Sequence, residues 1–223
     1  MEEKLKTWFK TLGDKEKPDE FDAKQLVKLY SIKVPMGKRL GPKDELNIED
    51  IKPPFVLKAC SSNILHKTEL KGVLLNNDKE CIQDNFTLMQ DRFANENILV
   101  ENQSTYMGPE FIIGIIKDPA LGHAVMIGAG GVLTEIYKDT AFRLAPCSVT
   151  DAMDMIDELV LSPVFDNFRG IRLDKEKLAQ TISQVSKLAH DLGDQLSQLD
   201  INPIVFSGSE WIALDVKVMF DEK

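Results

Sequence analysis

With 223 residues, 43% of them hydrophobic and 28% charged, the chain has the composition of a soluble globular protein and is long enough for one or two domains. A net charge of −9, with no basic run longer than "MGKRLGPK", argues against a nucleic-acid partner and against a polybasic membrane anchor. Apolar runs such as "FIIGII" fall far short of the ~20 residues of a membrane span, "MEEKLKTWFK" has no signal-peptide core, and Cys60, Cys81 and Cys147 form no CxxC pair; reduced thiols and a cytoplasmic location are expected.

In chain order, "TLGDKEKPDE" is polar and charged and reads as a tail or linker. The next stretch, "FDAKQLVKLYSI", sets Ala23, Leu26, Val27 and Tyr30 on one helical face. "KVPMGKRLGPKDE" breaks that pattern with prolines and glycines, after which "FVLKAC" and "GVLLN" read as short strands. Ile82, Phe86, Met89 and Phe93 recur at helical intervals. A strand-rich region then runs through "ILVEN", "EFIIGIIKD", "HAVMIGA", "GVLTEIY" and "FRLAP", whose tight turns predict an antiparallel sheet. "SVTD" resembles a capping box ahead of a helix from about Asp151, and a second helix is spaced by Leu178, Ile182, Val185, Ala189, Leu192 and Leu196. The strands "LDINPIVF" and "WIALDVKVMF", joined by Ser-Gly-Ser, close the chain. Helices and adjacent strands intermix as in an α+β fold. Neither GxGxxG nor GxxxxGK[ST] is present.

Several polar residues stand where chemistry is plausible, each beside a plainer reading. Alternation puts Asp200 and Asn202 on one strand face, with Asp215 on the neighbouring hairpin strand. Oxygen donors so placed suit Mg²⁺, or they merely satisfy strand ends. Lys58 inside "FVLKAC" either snorkels to solvent or meets an anion. Glu101 and Glu110 bracket "NQSTYMGP", a hinge-like segment where carboxylates can accept from an adenine amino group or ribose hydroxyls; taken alone they are ordinary surface acids. His66, in "SSNILHKTELKGV", lacks any metal-ligand spacing, and its neutral imidazole could attack phosphorus. His123 and His190 read as structural or surface residues, and the glycines of "GAGG" as a turn or a close backbone approach.

Together, "PFVLKACSSNILHKTELKGV", "FIIGIIKDPALGHAVMIGAGGVLTEIYKDTAFRLAP" and "LDINPIVF…WIALDVKV" resemble the ATP-grasp β subunit of ADP-forming acyl-CoA (acetyl-CoA) synthetases. "EFDAKQLVKLYSIKVP" resembles the opening helix shared with succinyl-CoA synthetase β chains. The resemblance implies two α+β lobes clasping ATP or ADP between them. It divides the chain into a tail (1–18), a larger lobe (19–38 and 99–223) and a smaller lobe (39–98) carrying the His66 loop. It implies that Lys58 contacts nucleotide phosphates, that Glu101 and Glu110 hold adenosine, that Arg143 adds a phosphate contact, and that Asn202 and Asp215 bind Mg²⁺. His66 would accept a phosphoryl group and relay it to and from a CoA-binding α subunit, in an α2β2 assembly. Phosphoryl transfer needs positioning and charge neutralisation above all, and Lys67, Mg²⁺ and backbone amides would supply the latter.

Three departures from the family pattern stand out. Lys71-Gly72 replaces Gly-Gly, the stretch between Pro35 and Pro53 is short, and Lys217 stands where arginine is usual. The competing readings are a carboxylate ligase that never phosphorylates a histidine and a regulatory subunit that binds nucleotide without turnover.

Overall fold

Lys58 lies in a strand that is buried from end to end, and that strand organises one of two compact units. In the computed structural model, residues 1–13, 17–64, 67, 69–131 and 139–221 are described. The smaller unit comprises 18–22 and 35–104. Its sheet runs β1 (Gly37–Leu40), β4 (Asn97–Asn102), β2 (Phe55–Cys60), β3 (Val73–Asn77), every pair antiparallel. The helix α3 (Ile82–Arg92) turns Ile82, Phe86 and Met89 into a core with Phe55, Leu57, Ile98 and Val100, as the four-three spacing predicts. Asn77 holds β3 in place: its side-chain amide donates to the carbonyls of Phe55 (3.1 Å) and Leu74 (2.8 Å) and accepts from Asn85 (2.6 Å).

The larger unit comprises 1–17, 23–34 and 105–223. Its antiparallel sheet has the order β10 (Val216–Phe220), β8 (Leu196–Ser207), β5 (Phe111–Asp118), β6 (Gly122–Ala129), β7 (Thr140–Leu144), with β9 (Glu210–Ala213) also paired to β8. Two helices, α4 (Val149–Asp157) and α5 (Lys175–Leu192), bury Ala152, Met155, Ile156, Leu178, Ile182, Val185 and Leu188 in the core with residues of the sheet. The capping box at α4 is realised: Ser148 Oγ accepts from Asp151 N (3.1 Å), and Asp151 Oδ2 accepts from Ser148 N (2.8 Å). Such a cap is worth about 1 kcal/mol.

Four expectations change. The N-terminal stretch expected as a tail contains a helix, α1 (Glu2–Leu12), whose Leu5, Trp8 and Leu12 enter the larger core; Trp8 and Phe9 pack on Phe220 with ring centroids 5.9 and 5.4 Å apart. The opening helix is α2 (Glu20–Lys28), and its first residues belong to the smaller unit. "ILVEN" joins the sheet of the smaller unit, because strand partners are chosen by non-local pairing that local alternation does not encode. Leu196 leaves the helical pattern after Gly193 and begins β8. Most of "GVLTEIY" lies outside the described residues. Among the described residues, no helix is long and apolar enough to cross a membrane.

The departure at Lys71 has a backbone consequence. Lys71 adopts φ 53°, the left-handed region that favours glycine, and its carbonyl accepts from Arg92 Nη1 at 2.8 Å. A side chain there costs about 1–2 kcal/mol. The smaller entropic cost of glycine offsets part of the relief, so Lys71→Gly is expected to stabilise the protein by about 0.5–1 kcal/mol in urea unfolding.

Candidate active site

Two clusters of polar side chains hold Lys58, Glu101, Asn202 and Asp215, one within each unit. In the smaller unit, β2 carries Lys58 beside β4, which carries Glu101. Lys58 Nζ lies 2.7 Å from Glu20 Oε1 and 3.2 Å from Glu101 Oε2. The other oxygen of Glu20 accepts from Lys67, the residue that follows His66. These side chains are nearly shut off from solvent: exposure is 9% for Lys58, 3% for Glu20, 2% for Glu101 and 13% for Lys67. Two ammoniums and two carboxylates so enclosed need one another, because a buried charge without a partner is costly. Lys58 therefore does not snorkel; burial along all of β2 leaves its head no short route to water. Beside this cluster, Arg39 Nη1 donates to Asp19 Oδ2 and Asp22 Oδ1, both at 2.7 Å, and stacks over Phe21. Gly37 faces Glu101 across β1 and β4, where an added Cβ would lie 2.6 Å from Glu101 Cγ.

In the larger unit, β8 presents Asp200 and Asn202 on one face; Lys217 of the partner strand lies opposite Asp200, and that strand is interrupted opposite Asn202. β9 ends at Ala213 and β10 starts at Val216, so Asp215 falls in the break; its carbonyl accepts from Asn202 N at 3.2 Å. The expected single strand "WIALDVKVMF" is thus two short ones. Burial, and then the neighbouring Asp215 carboxylate, push the Asp200 carboxyl up to about 6, while Lys217, its cross-strand partner, pulls the other way. Asn202 Oδ1 accepts from Gly131 N at 3.2 Å.

Gly131 also adjoins Glu110. An added Cβ on Gly131 (φ 74°) would sit 2.3 Å from Glu110 Oε2, and one on Gly130 would sit 2.4 Å from the Phe111 carbonyl carbon. Gly130 N donates to Glu110 O at 2.8 Å. The glycines of "GAGG" therefore serve close approach, and Gly131 a positive φ as well. Tyr106 Oη donates to Glu110 Oε1. These residues, with Pro109, Ala129, Val160 and Leu161, line a cavity of about 570 Å³.

The structure brings Lys58 and Glu101 together in one unit, and Asn202 and Asp215 together in the other. Arg143 stands apart: its guanidinium forms a bidentate pair with Glu158, which raises its pKa and lowers that of Glu158. It lies on β7, three strands from β8, or about 14 Å at the usual strand spacing. His66 lies outside the described residues. His123 is structural, its Nε2 donating to Leu196 O at 2.7 Å, and His190 is exposed on α5. Glu20 escaped the sequence reading, since an acid in the first turn of a helix is explained by the helix dipole alone. The "KPDEF" cluster of acids before that helix was the only hint.

Two antiparallel sheets with their helices, one bearing a lysine held by carboxylates and the other an oxygen-donor group, define an ATP-grasp protein, and the ATP-grasp domain family model matches residues 12–220. The chain belongs to that family, among the β subunits of ADP-forming acetate–CoA ligases. It is 36% identical over 211 residues to the acetate–CoA ligase (ADP-forming) I β subunit of Pyrococcus furiosus, covering 90% of each chain. A Pyrococcus horikoshii protein of known crystal structure matches with a TM-score of 0.88 at 29% identity, over 100% of both chains. The acetyl-coenzyme A synthetase 1 of Candidatus Korarchaeum cryptofilum, solved with coenzyme A and Mg-AMPPCP and with its phosphohistidine segment pointing towards the nucleotide binding site, gives a TM-score of 0.82. That match is at 25% identity and covers 96% of this chain and 99% of that one.

Proposed function

We propose that this chain is the nucleotide-handling β subunit of an ADP-forming acid–thiol ligase of acetate–CoA ligase type. With a CoA-binding α subunit it interconverts acyl-CoA, ADP and phosphate with the free acid, CoA and ATP. The observation that carries this reading is the match to a β subunit of that enzyme over 90% of each chain at 36% identity. The reaction takes place in the cytoplasm, in an α2β2 assembly.

Each unit supplies its part. Lys58, held by Glu20 and Glu101, offers a fixed ammonium to the nucleotide phosphates. Glu110, on the wall of a cavity whose volume suits a small ligand, accepts from nucleoside hydroxyls, and Glu101 would also hold adenosine. The guanidinium of Arg143 is taken up by Glu158 and would have to leave that carboxylate to contact a phosphate. Asp200, Asn202 and Asp215 present only oxygen donors, the hard set that Mg²⁺ prefers, and Asn202 and Asp215 would hold the ion. When bound, Mg²⁺ supplies neutralisation of phosphate charge. His66 takes up the phosphoryl group on nitrogen from an acyl phosphate, whose P–O bond breaks to release the free acid, and passes it to ADP to give ATP, with Lys67 beside it in sequence to offset charge.

Incubating the α–β complex with terminally radiolabelled ATP and Mg²⁺ is expected to leave acid-labile label on His66. His66→Ala should abolish both label and turnover. A fully active His66→Ala complex would remove the relay and favour a carboxylate ligase that works through an acyl phosphate alone.

A further inference from the structure

Glu110 has three freely rotating side-chain bonds and precedes β5, yet it is held at several points. Its carbonyl accepts from Gly130 N (2.8 Å), its Oε1 accepts from Tyr106 Oη, and its Oε2 passes over Gly131, where a Cβ would come within 2.3 Å. Gly131 in turn donates to Asn202 Oδ1 at 3.2 Å, so the Tyr106–Glu110 pair is one contact removed from the proposed metal ligand. Both side chains line the 570 Å³ cavity. Burial, and then Glu110 itself, push the Tyr106 hydroxyl up to about 12, so it remains a protonated donor throughout the neutral range.

We propose that Tyr106 is a positioning residue for nucleotide binding: its hydroxyl fixes the Glu110 carboxylate in the cavity wall, in the orientation that accepts ribose hydroxyls. This rests on the nucleotide-binding reading given above. Losing a hydrogen bond to a charged group typically costs enough to weaken binding about tenfold.

The test is titration of the α–β complex with Mg-ADP, by calorimetry, for wild type, Tyr106→Phe, Glu110→Gln and the double variant, with thermal melting of each. Tyr106→Phe should raise the Kd for ADP about tenfold. The same factor should appear in KM for ADP rather than in kcat, and the double variant should bind no more weakly than Glu110→Gln alone. With 2′,3′-dideoxy-ADP, wild type and Tyr106→Phe should bind alike, since the hydroxyls that Glu110 accepts are gone. If Glu110→Gln weakens ADP binding and Tyr106→Phe does not, the positioning role is overturned while the nucleotide reading stands. A lowered Tm with unchanged Kd, or an equal loss against the dideoxy analogue, makes Tyr106 merely structural. Wild-type complex that fails to bind Mg-ADP removes the nucleotide reading and this inference with it.

Discussion

Glu20→Ala is expected to cost about 3–5 kcal/mol, the range for breaking a buried ion pair from one side. The carboxylate serves two ammoniums at once, Lys58 Nζ at 2.7 Å and Lys67, and is itself 3% exposed. Its removal leaves both lysines short of a carboxylate in a place that water reaches poorly. Against a typical total stability of about 5–15 kcal/mol, that loss should lower the urea midpoint severely. If Glu20→Ala costs under about 1 kcal/mol, the cluster behaves as a solvated surface network.

A comparable loss is expected at Gly130→Ala. The new Cβ would lie 2.4 Å from the carbonyl carbon of Phe111 and 2.5 Å from its oxygen. Those are backbone atoms of β5, which is paired on both sides, with Ala129 and Ile204 opposite Phe111. No rotamer change relieves such a contact, so the sheet must shift, at about 3 kcal/mol. The shift falls beside Glu110, so affinity for ADP should drop as well. Gly208→Ala is the comparison: φ there is 64°, but nothing lies within 4 Å of the added carbon. It should cost only the left-handed penalty of about 1–2 kcal/mol. Equal melting temperatures for the two variants would show that the approach at Gly130 is not tight.

Local pattern carried the elements whose burial is periodic. Ile82, Phe86 and Met89 declared α3, "SVTD" declared the cap of α4, and the alternation of β8 put Asp200 and Asn202 on one face. What failed was whatever depends on a distant partner. Leu5, Trp8 and Leu12 lie on one face of α1, but the polar run after them suggested a tail, and only packing on Phe220 gives that face a purpose. "ILVEN" looks like any strand of the larger sheet until its register with β2 is seen. Lys58, Asn202 and Asp215 stood out in the sequence because residue type and motif coincide there. Glu20 did not, because its significance is a contact across 38 positions of chain.

The segmentation of the two cores bears on synthesis. Apart from 18–22, the smaller unit is one continuous stretch, 35–104, whose core can close as soon as that stretch has left the ribosome. The larger core joins Leu5, Trp8, Leu26 and Val27, which precede that stretch, to Val216 and Val218, which follow it. Those helices must therefore wait, apolar faces uncovered, until the strands that follow residue 104 have emerged, which makes them segments of the nascent chain in need of a chaperone's cover.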